Sequence, residues 1–186
     1  MTDQLHRVLQ RVQKPARYIG GEYNQIVKDK SSVDVRVAFC FPDTYELGMS
    51  NIGMRILYGV MNEMDGVWAE RVFAPWGDME QEMRARSIPL FALESKDPVR
   101  EFDMIAFSIG YEMSYTNILN MLALSGVPLL ASDRTELKNI VFAGGVCAVN
   151  PEPLADFIDF FSLGEGEEIT QEIVRLYQAA KREGWD

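Results

Sequence analysis

Ala143-Gly144-Gly145-Val146-Cys147-Ala148-Val149-Asn150-Pro151-Glu152-Pro153-Leu154-Ala155-Asp156-Phe157 is followed, after Ile158, by Asp159-Phe160-Phe161-Ser162-Leu163-Gly164-Glu165-Gly166-Glu167-Glu168. Each half reads as a short apolar strand that stops at glycines and turns toward a helix. Glycine is placed where the backbone takes positive φ or where another group must approach it closely. Two such junctions in succession put two open loops on one edge of a parallel sheet. That edge is where open α/β sheets bind ligands.

Upstream, the same alternation repeats. Val33–Phe41 is rich in β-branched and aromatic residues and reads as the first strand. Gly48–Met64 carries apolar residues at helical spacing, and Val67–Phe73 is the second strand. Asp78–Ser87 predicts a polar helix capped by Asp78, and Pro89–Leu93 a short extra strand. Asp103–Ile109 is a continuous apolar run, as in a strand buried on both faces. Ser114–Ser125 predicts a helix closed by Gly126 and Pro128, with Ser114 or Thr116 as its cap. Asn139–Ala143 and Phe157–Leu163 are the last strands, and Glu167–Arg182 is the final helix, with acids in its first turn. Before the alternation, residues 3–14 show a helical stripe ended by Pro15, and residues 18–30 read as irregular. The expected fold is therefore α/β: a flavodoxin-like (Rossmann-like) three-layer sandwich with a five-stranded parallel sheet in the order 2-1-3-4-5. Residues 1–30 form a helical appendage and residues 31–186 the α/β domain.

That order places the switch point between the first and third strands. The candidate site is the set of loops on that rim. They are Leu47, Gly48, Met49, Ser50 and Asn51 after the first strand, and Ser108, Gly110, Tyr111 and Glu112 after the third. Gly144, Gly145, Val146 and Cys147 follow the fourth, and Gly164, Glu165 and Gly166 the fifth. Simpler readings stand beside this one. A strand-to-helix turn needs caps in any case, the carboxylates of 165–168 suit the helix dipole, and Cys147 has no nearby His or Lys to lower its pKa. Neither G-x-G-x-x-G nor G-x-x-x-x-G-K-[ST] occurs, so the loops carry no nucleotide fingerprint.

Composition narrows the classes. With 18 basic and 28 acidic residues the chain carries −10, which disfavours nucleic acid as a direct partner. Two cysteines do not make a disulfide framework, the N-terminus lacks an apolar export run, and no stretch is long enough to span a membrane. A reduced, cytoplasmic protein without a membrane partner is expected.

Four segments together carry a family resemblance. They are Arg17-Tyr18-Ile19-Gly20-Gly21-Glu22-Tyr23-Asn24, Pro42–Gly53 (PDTYELGMSNIG), Ser108–Asn117 (SIGYEMSYTN), and the double-glycine and Gly-Glu-Gly-Glu runs quoted above. In this order they resemble the cobalamin-binding-type domain at the N-terminus of radical S-adenosylmethionine (radical SAM) proteins of the Fe–S oxidoreductase kind. The resemblance runs from about Pro15 to Tyr177. It implies a cobalamin cofactor at the rim, with the Ser108–Thr116 loop beside the corrin ring and Gly144-Gly145 along the channel for its nucleotide tail. It also implies a radical SAM domain downstream as partner, with the chain as the N-terminal piece of a longer protein.

Three departures matter. The one histidine is His6, and no Asp-x-His-x-x-Gly loop exists, so cobalamin would bind without a protein histidine on cobalt. The cysteines are 107 positions apart and cannot supply a [4Fe–4S] site, so the cluster and S-adenosylmethionine belong to the downstream domain. Val146-Cys147 also stands where the family pattern has proline before the cysteine. Two other readings remain open: a cofactor-free scaffold or substrate-docking module of the same multidomain protein, and an unrelated flavodoxin-like protein.

Overall fold

The computed structural model describes residues 2–185. Five strands form one all-parallel sheet: β1 (Val35–Phe41), β2 (Val67–Phe73), β3 (Met104–Ser108), β4 (Ile140–Gly144) and β5 (Phe160–Phe161), in the order β2-β1-β3-β4-β5. The helices are α1 (Thr2–Leu9), α2 (Tyr45–Ser50), α3 (Ile52–Asn62), α4 (Gly77–Arg86), α5 (Tyr115–Ser125) and α6 (Gly166–Glu183). This is the expected architecture and strand order.

Two cores separate the layers. Alternate strand residues point to opposite faces. Val35, Val37 and Phe39 of β1 pack with Met54, Tyr58 and Met61 of α3 and Val174 and Tyr177 of α6. Ala38 and Cys40 face the other way, toward Met79 and Met83 of α4, Ile118 and Leu122 of α5, and Leu5 and Val8 of α1. The N-terminal helix thus adds an outer layer to the α4 side.

Several boundaries differ from expectation. The helix expected over 3–14 ends at Leu9; Pro15 opens a 3-10 turn, with Lys14 before it at φ 49°. The single helix expected over Gly48–Met64 is two, because Asn51 is extended (φ −75°, ψ 121°) and its Oδ1 accepts the Met54 amide at 2.9 Å. Asn51 therefore caps α3 and breaks the chain at one position. Asp78 is not a cap. Trp76 stands at the N-cap of α4, and Asp78 lies in its first turn, where Oδ2 accepts the Gln13 amide at 2.5 Å. Ser114 occupies the N-cap of α5, but its hydroxyl donates to the Tyr111 carbonyl at 2.7 Å instead of capping. No strand forms over Pro89–Leu93; there is one antiparallel bridge, Phe91 with Pro98. The final strand is two residues long.

The 88–98 segment instead covers the edge of β2. An uncovered edge strand presents unpaired amides and carbonyls to other chains. Here the Arg71 amide donates to Glu94 Oε2 (2.7 Å) and the Arg71 carbonyl accepts from Leu93 N (2.8 Å). The Ala69 amide and carbonyl pair with the Asn62 carboxamide at 3.1 and 3.0 Å, and the Val67 carbonyl takes Lys28 Nζ at 2.6 Å. Residues 18–30 run across this edge as a strap. Trp68 Nε1 donates to the Ile26 carbonyl at 3.1 Å, and Glu22 pairs with buried Arg71 at 3.4 Å.

Candidate functional site

The C-terminal edge of the sheet is laced together by its own loops. The Ile109 amide donates to the Gly144 carbonyl at 2.8 Å, and the Cys147 amide to the Ile109 carbonyl at 3.2 Å. Asp43 ties three loops: its Oδ1 accepts the Thr44 amide at 2.7 Å, its carbonyl accepts the Ala74 amide at 3.0 Å, and its Oδ2 accepts the Tyr111 hydroxyl. The Tyr111–Asp43 bond crosses between the ends of β1 and β3, at the switch point itself.

On the α3/α6 side of this edge lies a cavity of about 230 Å³. Its floor is apolar, with Phe39, Ala106 and Phe142 from the sheet and Leu57 and Met61 from α3. Phe142 is braced by Phe160, the rings stacked at 5.2 Å between centroids and 6° apart. Its collar is polar: Ser108, Ser162 and Thr170 carry hydroxyls, and Gly144, Gly145 and Gly164–Glu167 supply backbone. The N-terminus of α6 opens here, and no side chain caps it. The first amides of a helix have no partner within it, and the helix dipole makes that end positive. The cavity therefore offers an apolar slot under a ring of hydrogen-bonding groups.

Six of the sixteen residues singled out from the sequence line this cavity: Ser108, Gly144, Gly145, Gly164, Glu165 and Gly166. The others sit around it in different roles. Gly48 packs against Phe73 and Phe41, leaving no room for a Cβ. Met49 Sδ accepts from Arg71 Nη1 at 3.3 Å, so it faces the β2 side. Ser50 Oγ donates to the Leu47 carbonyl at 3.0 Å, Leu47 is exposed, and Asn51 is the cap of α3. Gly110, Tyr111 and Glu112 form the exposed β3 loop, and Val146 is exposed beside it. Cys147 is buried in the core of the opposite face. Burial, and then the Glu112 carboxylate, push its thiol pKa up, which opposes nucleophilic use. Cys40 is wholly buried in β1, and that burial pushes its thiol far up.

Among the lining residues outside those sixteen, Gly53, Leu57 and Met61 form one i, i+4, i+8 stripe on α3, and Thr170 stands four residues after Gly166 on α6. Those stripes were present in the sequence, but only the packing of α3 beside α6 makes them one wall. Among the described residues no group of three or more His, Cys, Asp or Glu side chains could hold a metal ion, and no helix is long and apolar enough to cross a membrane.

A family model described as radical SAM proteins, N-terminal, matches residues 53–186. An uncharacterised protein of Methanocaldococcus jannaschii is 25% identical over 133 residues, covering 70% of this chain and 24% of that protein. The chain thus spans about a quarter of that relative's length. No solved structure matches. The match from α3 through α6 takes in the cavity wall and every strand from β2 to β5, and by it the chain belongs to the family of N-terminal domains of radical SAM proteins.

Proposed function

We propose that this chain is the ligand-holding N-terminal module of a radical SAM protein, and that its ligand is a corrinoid of the cobalamin type. The observation that carries the reading is the cavity between the C-terminal ends of the strands and the open N-terminus of α6. Its volume is below the roughly 300–1,000 Å³ of pockets that enclose a drug-sized ligand. It suits one flat heteroaromatic group, with the bulk of the ligand lying over the rim. The donor set fits such a group. Ser108, Ser162 and Thr170 offer hydroxyls, the first amides of α6 are free to donate, and Phe39 and Phe142 give an apolar floor.

A bound corrinoid supplies a transferable alkyl group; the residues here would bind and orient it. His6 lies on α1, against the α4 side of the sheet, opposite the cavity, so a corrinoid held there would bind without an imidazole of this chain. An iron–sulfur cluster and S-adenosylmethionine would belong to the downstream domain, because Cys40 and Cys147 are only two thiols and both are buried.

A cofactor-free scaffold is the second reading, and the Tyr111–Asp43 bond favours it by closing the crevice between β1 and β3. Absorbance after incubation with hydroxocobalamin and desalting separates the two. The wild type keeps corrinoid bands under the first reading and none under the second. Gly144→Leu is the control variant. A Cβ there meets only Ser162 at ordinary contact, 3.7 Å, so the longer side chain enters the cavity without disturbing the strand. It should lose the bands while its circular dichroism is unchanged.

A further inference from the structure

Three of the strand-end loops share a second character. Met113 after β3 is 86% exposed, Val146 and Val149 after β4 are 77% and 74%, and Leu163 after β5 is 58%. Tyr111 adds a ring that is 40% exposed. Large apolar side chains gathered at one edge mark an interaction surface, because a free surface gains nothing by displaying them. The charge around them has one sign. Residues 109–117, 145–157 and 162–168 contain no Lys, Arg or His, but they contain Glu112, Glu152, Asp156, Glu165, Glu167 and Glu168.

We propose that this apolar, acid-ringed half of the rim is the docking face for the domain that follows in the same polypeptide, and that the docked surface is apolar with a basic border. The proposal rests on the reading of the chain as an N-terminal module. The family is one of N-terminal domains, and the aligned part of the relative is 24% of its length, so most of that protein lies outside this fold. Complementary charge selects the partner: an acidic border repels nucleic acid, anionic lipid and a second copy of itself, and attracts a basic protein surface. The path of the chain adds a constraint. α6 starts at the rim and has 18 residues, so at about 1.5 Å per residue it carries the chain roughly 27 Å to the opposite edge. A following domain needs a linker of about eight extended residues to come back.

Hydroxyl-radical footprinting tests this, applied without corrinoid to the 186-residue chain and to the longer polypeptide that carries it. In the longer polypeptide, oxidation of Met113, Val146, Val149 and Leu163 should fall several-fold. The protection should be lost in Val149→Asp and weakened in Glu152→Lys/Asp156→Lys. None of these three residues lines the cavity or belongs to the Ser108–Thr116 loop placed beside the corrin ring, so corrinoid retention by the 186-residue chain should be unchanged in both variants. Failure of docking is thereby distinguished from failure of the ligand reading. Equal oxidation in the two polypeptides overturns the proposal. Protection of the 186-residue chain that grows with its concentration also overturns it, because the occupant is then a second copy.

Discussion

Gly145→Ala probes the junction on which the rim depends. Gly145 has φ 105° and ψ −179°, a region that residues with a side chain essentially do not occupy, at a cost of about 1–3 kcal/mol. Space adds to conformation. A Cβ at Gly145 would sit 2.7 Å from the Ile109 carbonyl oxygen and 3.1 Å from its nitrogen, both backbone atoms. Those atoms cannot swing aside, because Ile109 N is bonded to Gly144 O and Ile109 O to Cys147 N. Relief of the clash breaks at least one of these, worth about 0.5–1.5 kcal/mol net. The expected loss is therefore about 2–4 kcal/mol, or roughly 4–16 °C in Tm for a domain of this size. Gly164→Ala is the matched control. Gly164 also has φ 105°, but a Cβ there meets nothing within 4 Å, so it should lose only the conformational part, about 1–3 kcal/mol. Denaturant unfolding of the three proteins, followed by circular dichroism, measures the difference. If Gly145→Ala is no less stable than Gly164→Ala, the close packing of the β3 and β4 loops is refuted. The result also decides how Gly145 variants are used: they report on loop packing, so Gly144 is the position for blocking the cavity.

The buried pair Arg71–Glu94 (2.7 Å) should behave asymmetrically. Glu94→Ala leaves the buried guanidinium only Glu22 at 3.4 Å and should cost about 3–5 kcal/mol, whereas Arg71→Met/Glu94→Leu should cost clearly less; a double-mutant cycle by urea unfolding measures the coupling. Asp97 is partly buried, which opposes ionisation, but Lys30 and Arg36 prevail and hold its carboxyl below the ordinary value of 3.8. A depressed folded pKa gives stability that is complete above the unfolded value and lost as pH falls through the folded one. The stability gap between wild type and Asp97→Asn should therefore be flat above about pH 5 and shrink below 3.8; a gap that widens in acid would contradict the assignment. Asn51→Ala removes the cap of α3 and should cost about 0.5–2 kcal/mol, read from thermal unfolding, while Asn51→Asp should retain most of it.

The layer structure was legible in the residues because periodicity carries it. Met104–Phe107 of β3 is apolar throughout, as a central parallel strand requires, and α3 and α5 each carry an apolar stripe. The glycine junctions at 144–145 and 164–166 likewise announced which edge would be open. Where competing local chemistry was subtle, the sequence alone misassigned it. Asn51 falls inside the single helix expected over Gly48–Met64, yet it is extended and its carboxamide caps α3, which splits that helix in two. Pro89–Leu93 has strand composition, but only Leu93 N reaches β2, at the Arg71 carbonyl, while Leu90 N goes to the Leu124 carbonyl and Ala92 N to that of Asp97, which no local pattern encodes. What the sequence by itself determined was the alternation, the parallel sheet and the glycine-lined edge, since these follow from side-chain period and backbone freedom. What only the tertiary structure decided was which face of that edge opens. The slot lies where α3 and the start of α6 meet the strand ends over Phe39 and Phe142, while on the other side Ile109 and Cys147 close the backbone against itself.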